Sequence, residues 1–118
     1  MLQNKYRLKN RMAFTATYKQ KKVVSDEFLI LYLGKEKKDI DFPTKVGFVV
    51  SKKFHKRAVK RNKIKRFMRE AYRLSLKSGE VELLQRYMSL IFMPKNSALG
   101  ADFKTIQNSL KNLLKKLS

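Results

Sequence analysis

The sequence predicts an α+β fold, a two-layer sandwich of element order αββαβα. Three observations predict it. Three short runs rich in branched and aromatic residues read as strands: FLILYL at Phe28–Leu33, TKVGFVVS at Thr44–Ser51 and YMSLIFM at Tyr87–Met93. Three other segments repeat their apolar residues at helical spacing. Strands followed by helices that cover one sheet face belong to the α+β class.

Each element has a local cause. Asn10 can cap a first helix running to about Gln20, with Ala13, Phe14, Thr17 and Tyr18 on one side. Gly34–Pro43 (GKEKKDIDFP) is charged and carries turn residues at both ends, so it reads as a loop between two strands of opposite direction. Ala58 to about Ser75 is the clearest helix. Ile64, Phe67, Met68 and Ala71 stand at i, i+3, i+4, i+7, and Gly79 is a stop signal. Pro94 ends the third strand. Asp102 caps a last helix striped by Phe103, Ile106, Leu110, Leu113, Leu114 and Leu117, with Lys115 and Lys116 where cations complement the helix dipole.

A length of 118 residues suits one domain, and 43% hydrophobic residues suffice for a packed core. Without cysteine, disulfides, thiolate zinc sites and cysteine nucleophiles are excluded. The single histidine, His55, cannot build a multi-histidine metal site. The chain has no apolar run long enough to span a bilayer. The N-terminal MLQNKYRLKNR is basic but lacks the apolar stretch of a secretory signal, so the expected compartment is the cytoplasm. A phosphate-cradling GxxxxGK[ST] loop, a supported Ser/His/Asp set and a carboxylate cluster are all missing; Asp39 and Asp41 read as parts of a solvated loop.

The charge carries the functional argument. The formal net charge is +20, and Lys52–Lys77 holds 12 basic residues against one acid, Glu70. Such self-repulsion persists when a polyanion offsets it, and nucleic acid is the common one. Residues 1–118 therefore read as a single RNA-binding domain. On the long helix, Arg61, Lys65, Arg69 and Arg73 form an i, i+4 ladder away from the apolar stripe, flanked by Asn62 and Arg66. Like charges at that spacing destabilise a helix, whereas phosphate binding gives them a use. Lys52, Lys53, Lys56 and Arg57 extend the positive surface upstream. Phe14, Tyr18 and Tyr32 could line a groove between the first helix and the sheet, where aromatics stack on unpaired bases. For Phe14 and Tyr18, spacing alone favours core packing. A membrane-surface helix fits less well, because the apolar face has a sheet to cover.

The stretch RAVKRNKIKRFMREAYR, Arg57–Arg73, closely resembles the signature of the ribonuclease P protein family, whose RNR motif matches Ala58, Arg61, Asn62, Lys65, Arg66 and Arg69. Arg7, Leu8 and Phe14 resemble its N-terminal pattern, and VGFVVSKK, Val46–Lys53, its central strand and following lysines. Many members have a glycine after the first helix, where this chain has Lys21. The resemblance implies a left-handed βαβ crossover, although a right-handed one is the general rule. It also implies a function: assisting a catalytic RNA in removing the 5′ leader of precursor tRNA, with Mg2+ acting through the RNA subunit. The implied RNA contacts are Arg61, Asn62, Lys65, Arg66 and Arg69, to which the charge pattern adds Lys52, Lys53, Arg57 and Arg73. The implied leader cleft is Phe14, Tyr18 and Tyr32. Neither a membrane nor a small-molecule substrate is implied. The rival readings are a ribosomal or other structural RNA-binding protein, a stand-alone nuclease, and a DNA-binding protein without a helix-turn-helix pair.

Overall fold

A computed structural model describes residues 4–38, 43–79 and 82–117. Its elements are α1 (Arg11–Lys19), β1 (Lys22–Ser25), β2 (Leu29–Leu33), β3 (Lys45–Phe48), α2 (Ala58–Lys77), β4 (Ser89–Pro94) and α3 (Phe103–Leu117), with short 3-10 turns between some of them. The strands form one sheet of order β1-β2-β4-β3. β2 is antiparallel to both β1 and β4, while β3 and β4 are parallel. Thus β2 and β3 do run in opposite directions, but β4 lies between them. The parallel pair β3–β4 is joined through α2, a βαβ unit.

The α+β class holds, with two corrections. No strand was predicted between the first helix and Phe28, and β1 adds a fourth one there. KKVVS is short, and as an edge strand it leaves Val23 51% exposed, so its sequence shows little apolar alternation. The other correction concerns the helices. α2 and α3 cover one face, whereas α1 packs on the opposite face. The alternation along β2 causes this: Leu29, Leu31 and Leu33 enter the core with Ile64, Met68, Ala71, Ile106, Leu110 and Leu113. Tyr32, pointing the other way, meets Tyr18 of α1.

Boundaries follow local chemistry. Asn10 caps α1 by accepting the Met12 amide at 2.8 Å, and Asp102 caps α3 by accepting the Thr105 amide at 2.9 Å. β4 starts at Ser89 rather than Tyr87, and Pro94 is its last residue, opposite Leu29. β3 is shorter than the predicted Thr44–Ser51; beyond Phe48 only the Val49 amide reaches the Phe92 carbonyl, at 3.0 Å. The loop reading of Gly34–Pro43 is interrupted by a bridge between Glu36 and Tyr87. Asp39 and Asp41 lie outside the described residues. The N-terminal segment shields the outer edge of β3, where the Leu8 amide donates to the Val46 carbonyl at 2.8 Å.

Candidate nucleic-acid interface

The site is built on α2. Ile64, Met68, Ala71 and Tyr72 are buried against the sheet and α3. That face fixes the rotation of the helix, because each further residue turns the side chain by about 100°. Asn62 and Arg66 consequently project into solvent, with Lys65 and Arg69 half-buried beside them. Together with Val59 and Lys63 they line a shallow depression of about 470 Å3 on the outer side of the helix.

Lys65 and Arg69 also form one wall of a second hollow, of about 320 Å3. Arg7, Lys9 and Phe14 stand across from them, over a floor of Val46, Gly47 and Phe48. Two local features place these groups. The bond from Leu8 to Val46 and the adjoining bridge at Arg7 hold the N-terminal segment along β3. Gly47 admits the ring of Phe14: a Cβ there would lie 2.6 and 2.7 Å from two of its ring carbons. None of the lining residues is acidic. Arg7 and Lys9 were not among the predicted contacts. Both precede the first helix, and only the pairing with β3 brings them to α2.

The cation ladder does not act as one row. Lys65 and Arg69 share the groove. Arg61 turns back instead, and its Nη1 donates to the carbonyls of His55 and Lys56 at 2.8 and 2.7 Å. Arg73 forms a bidentate ion pair with Glu70 at 3.1 and 2.5 Å. The hydrogen bond from Arg73 is the chief cause that holds the Glu70 carboxyl below its ordinary pKa. Lys52, Lys53 and Arg57 are exposed in the segment before α2. That segment is folded by the Phe54 amide on Ser51 O at 3.1 Å and the Arg57 amide on His55 Nδ1 at 3.0 Å.

The predicted aromatics fall into two groups. Phe14 belongs to the groove. Tyr18 and Tyr32 pack edge to face, with centroids 4.9 Å apart and planes at 81°. Burial, and secondarily the neighbouring Tyr32, pushes the Tyr18 phenol above its ordinary pKa. The register puts Val23, Tyr32, Ile30 and Met93 on this same sheet face, and all four retain exposure. The α1 face thus offers a partly open aromatic and aliphatic surface beside the cationic groove. Thr17 of α1 is anchored on β4 through a 2.5 Å contact between its hydroxyl and that of Ser89.

Fixed cations next to partly exposed rings can pair with phosphates and stack on bases at once. Among the described residues, no three His, Cys, Asp or Glu side chains converge as a metal site, and no helix is long and apolar enough to cross a membrane.

Known proteins share this sequence pattern and fold. The Ribonuclease P family profile matches residues 2–118. The ribonuclease P protein component of Clostridium botulinum (strain 657) is 40% identical over 116 residues, covering 98% of this chain and 96% of that protein. The corresponding protein of Clostridium kluyveri is 37% identical over 111 residues, covering 94% and 93%. Among solved structures, the RNase P protein of Staphylococcus aureus superposes with a TM-score of 0.74 at 30% identity, over 94% of each chain. That of Thermotoga maritima gives 0.74 at 28% identity, over 95% of this chain and 97% of its own. Superposition over that length requires the same connections in the same hand as in those proteins. The sequence, the fold and the cation-bearing helix agree: the chain belongs to the ribonuclease P protein family and is a protein component of that endoribonuclease.

Proposed function

We propose that the chain binds the catalytic RNA of ribonuclease P and the 5′ leader of precursor tRNA, and so assists the cut that forms the mature tRNA 5′ end in the cytoplasm. Asn62, Lys65, Arg66 and Arg69 meet the folded RNA, with Lys52, Lys53 and Arg57 extending the contact. Phe14, Tyr18 and Tyr32 face the single-stranded leader. Arg61 contributes through the segment it clamps, and Arg73 after exchanging Glu70 for phosphate.

One observation carries this reading. Lys65 and Arg69 face Phe14 across a groove without acids, placed there by Gly47. The groove combines charge for a backbone with a ring for a base, and the open α1 face continues it. Mg2+ belongs to the RNA subunit, which carries out the hydrolysis. The protein acts by screening two polyanions from each other and by positioning, with no proton-transfer step of its own.

The test is precursor-tRNA cleavage by the ribonuclease P RNA across a magnesium series, with and without the protein. RNA alone should cleave at high magnesium, and added protein should restore cleavage at low magnesium. If RNA without protein is inactive at every magnesium concentration, this division of labour is wrong.

A further inference from the structure

The flank of α2 turned away from Lys65 and Arg69 carries a third hollow, of about 280 Å3. It lies between the Phe54–His55 turn, the first turns of α2 and the Leu99–Ala101 connection to α3. Lys60, Lys63 and Phe67 line it at i, i+3, i+7. At about 100° per residue, that flank is roughly opposite Lys65 and Arg69 around the helix. We propose that this hollow takes one unpaired nucleotide of the bound RNA, a proposal that rests on the RNA-binding reading above.

The chemistry of the walls points to that occupant. Phe54 and Phe67 are half-buried rings, and Leu99 is 50% exposed at the mouth. Phe67 is held edge-on by Phe103, with centroids 5.8 Å apart and planes at 74°. Such a braced, partly exposed ring is a stacking platform. Lys60 and Lys63 supply charge for a phosphate, and Lys63 Nζ stands 5.8 Å from the Phe67 centroid. His55 Nδ1 already accepts the Arg57 amide, which leaves Nε2 of the neutral ring to donate to a base edge. No acid lines the hollow. Arg61 keeps its mouth in place by binding the His55 and Lys56 carbonyls.

A free mononucleotide has the same chemistry as a nucleotide of the RNA. Continuity favours the RNA, because Lys63 lines both this hollow and the outer depression that holds Asn62, Arg66 and Arg69. An RNA crossing the outer side of α2 therefore reaches the hollow without leaving the cations. The two flanks of one helix then hold different parts of the bound RNA, the leader side at Phe14 and a single extruded base at Phe67.

The experiment has two arms. In the first, amide spectra of the full chain are recorded with adenosine 5′-monophosphate and, separately, with inorganic phosphate. The nucleotide should shift Phe54, His55, Leu99 and Gly100, and phosphate should not reproduce those shifts. In the second, binding of ribonuclease P RNA is compared for wild type, Leu99→Glu and Met88→Glu. Met88 is 56% exposed just before β4, at the opposite end of that strand from the Leu99 connection, and controls for added charge. Leu99→Glu should weaken binding at least about fivefold more than Met88→Glu, the low end of a lost stacking contact.

Phosphate shifts equal to those of the nucleotide would overturn the base-binding part. Equal RNA affinity of the two glutamate variants would overturn the RNA as occupant, and nucleotide shifts alongside it would mean a free-nucleotide site. If wild type itself fails to bind the RNA, the broader reading fails first. A dispersed spectrum of Leu99→Glu excludes unfolding as the cause of any loss.

Discussion

Lys21 follows α1 with φ at 55°, the left-handed backbone that favours glycine, and it is the non-glycine residue with positive φ among those described. Its amide still closes the turn on the Tyr18 carbonyl at 3.1 Å. The lysine therefore keeps the glycine conformation at a steric cost of about 1–2 kcal/mol. Glycine recovers part of that and loses part to unfolded-chain entropy. Lys21→Gly should raise stability by about 0.5–1 kcal/mol in thermal or urea melts; a destabilised variant would contradict the strain. Gly47 makes the opposite case. Gly47→Ala drives a Cβ against the far end of the Phe14 ring. The ring can give way, so the cost should be about 1 kcal/mol, near the low end for overpacking. In a Phe14→Ala background that cost should vanish, and a full cost in both backgrounds would show that Phe14 is not what Gly47 makes room for. Neither residue could be assigned this part from sequence. A lysine gives no sign of its φ, and Gly47 looks like any strand glycine until α1 is laid over β3.

α3 shows how a well-predicted helix can be held by contacts that no periodicity reveals. Its stripe of Ile106, Leu110, Leu113 and Leu114 was legible, and all four are buried. Its docking to the β1–β2 turn was not. Asp26 there accepts the Phe28 and Leu29 amides at 2.9 Å each and the Ser109 hydroxyl at 2.6 Å, while Lys116 binds the Ser25 carbonyl. Burial alone would raise the Asp26 pKa. The hydrogen bonds from Ser109, Leu29, Phe28 and Asn112 outweigh it and leave the carboxyl below its ordinary value. A folded-state pKa below the unfolded one adds stability above about pH 4 that is lost as pH falls through the folded value. Wild type should thus exceed Asp26→Asn in stability at neutral pH, and the gap should close in acid below about pH 4. A gap independent of pH would contradict the carboxylate's part. α2 repeats the lesson. Its span and buried stripe were readable from spacing, whereas Arg73, expected in the cation ladder, instead pairs with Glu70. The return of Arg61 to the preceding carbonyls was not readable either, because it depends on how residues 51–57 fold. Phe67, which the stripe suggested as deep core, is only half-buried beside the hollow at Leu99.

Across the molecule, the sheet order decides what meets what. β4 inserts between β2 and β3, so the edge strand β3 carries the N-terminal segment on one side and receives α1 and α2 at its two faces. That arrangement brings Arg7, Lys9 and Phe14 to Lys65 and Arg69, although more than fifty residues separate the two groups. The charge block, the long helix and the family signature were readable in the chain; a groove assembled from three distant segments was not, since parallel pairing of β3 with β4 leaves no local mark. The central claim is that this groove and the outer side of α2 form the phosphate-binding surface. The most direct measurement is the salt dependence of binding to ribonuclease P RNA, for wild type and for Lys65→Ala/Arg69→Ala. Each lost phosphate contact removes about one released counterion, so the double variant should bind more weakly with a log–log slope shallower by about two. An unchanged slope in a folded double variant would place the RNA elsewhere on the protein.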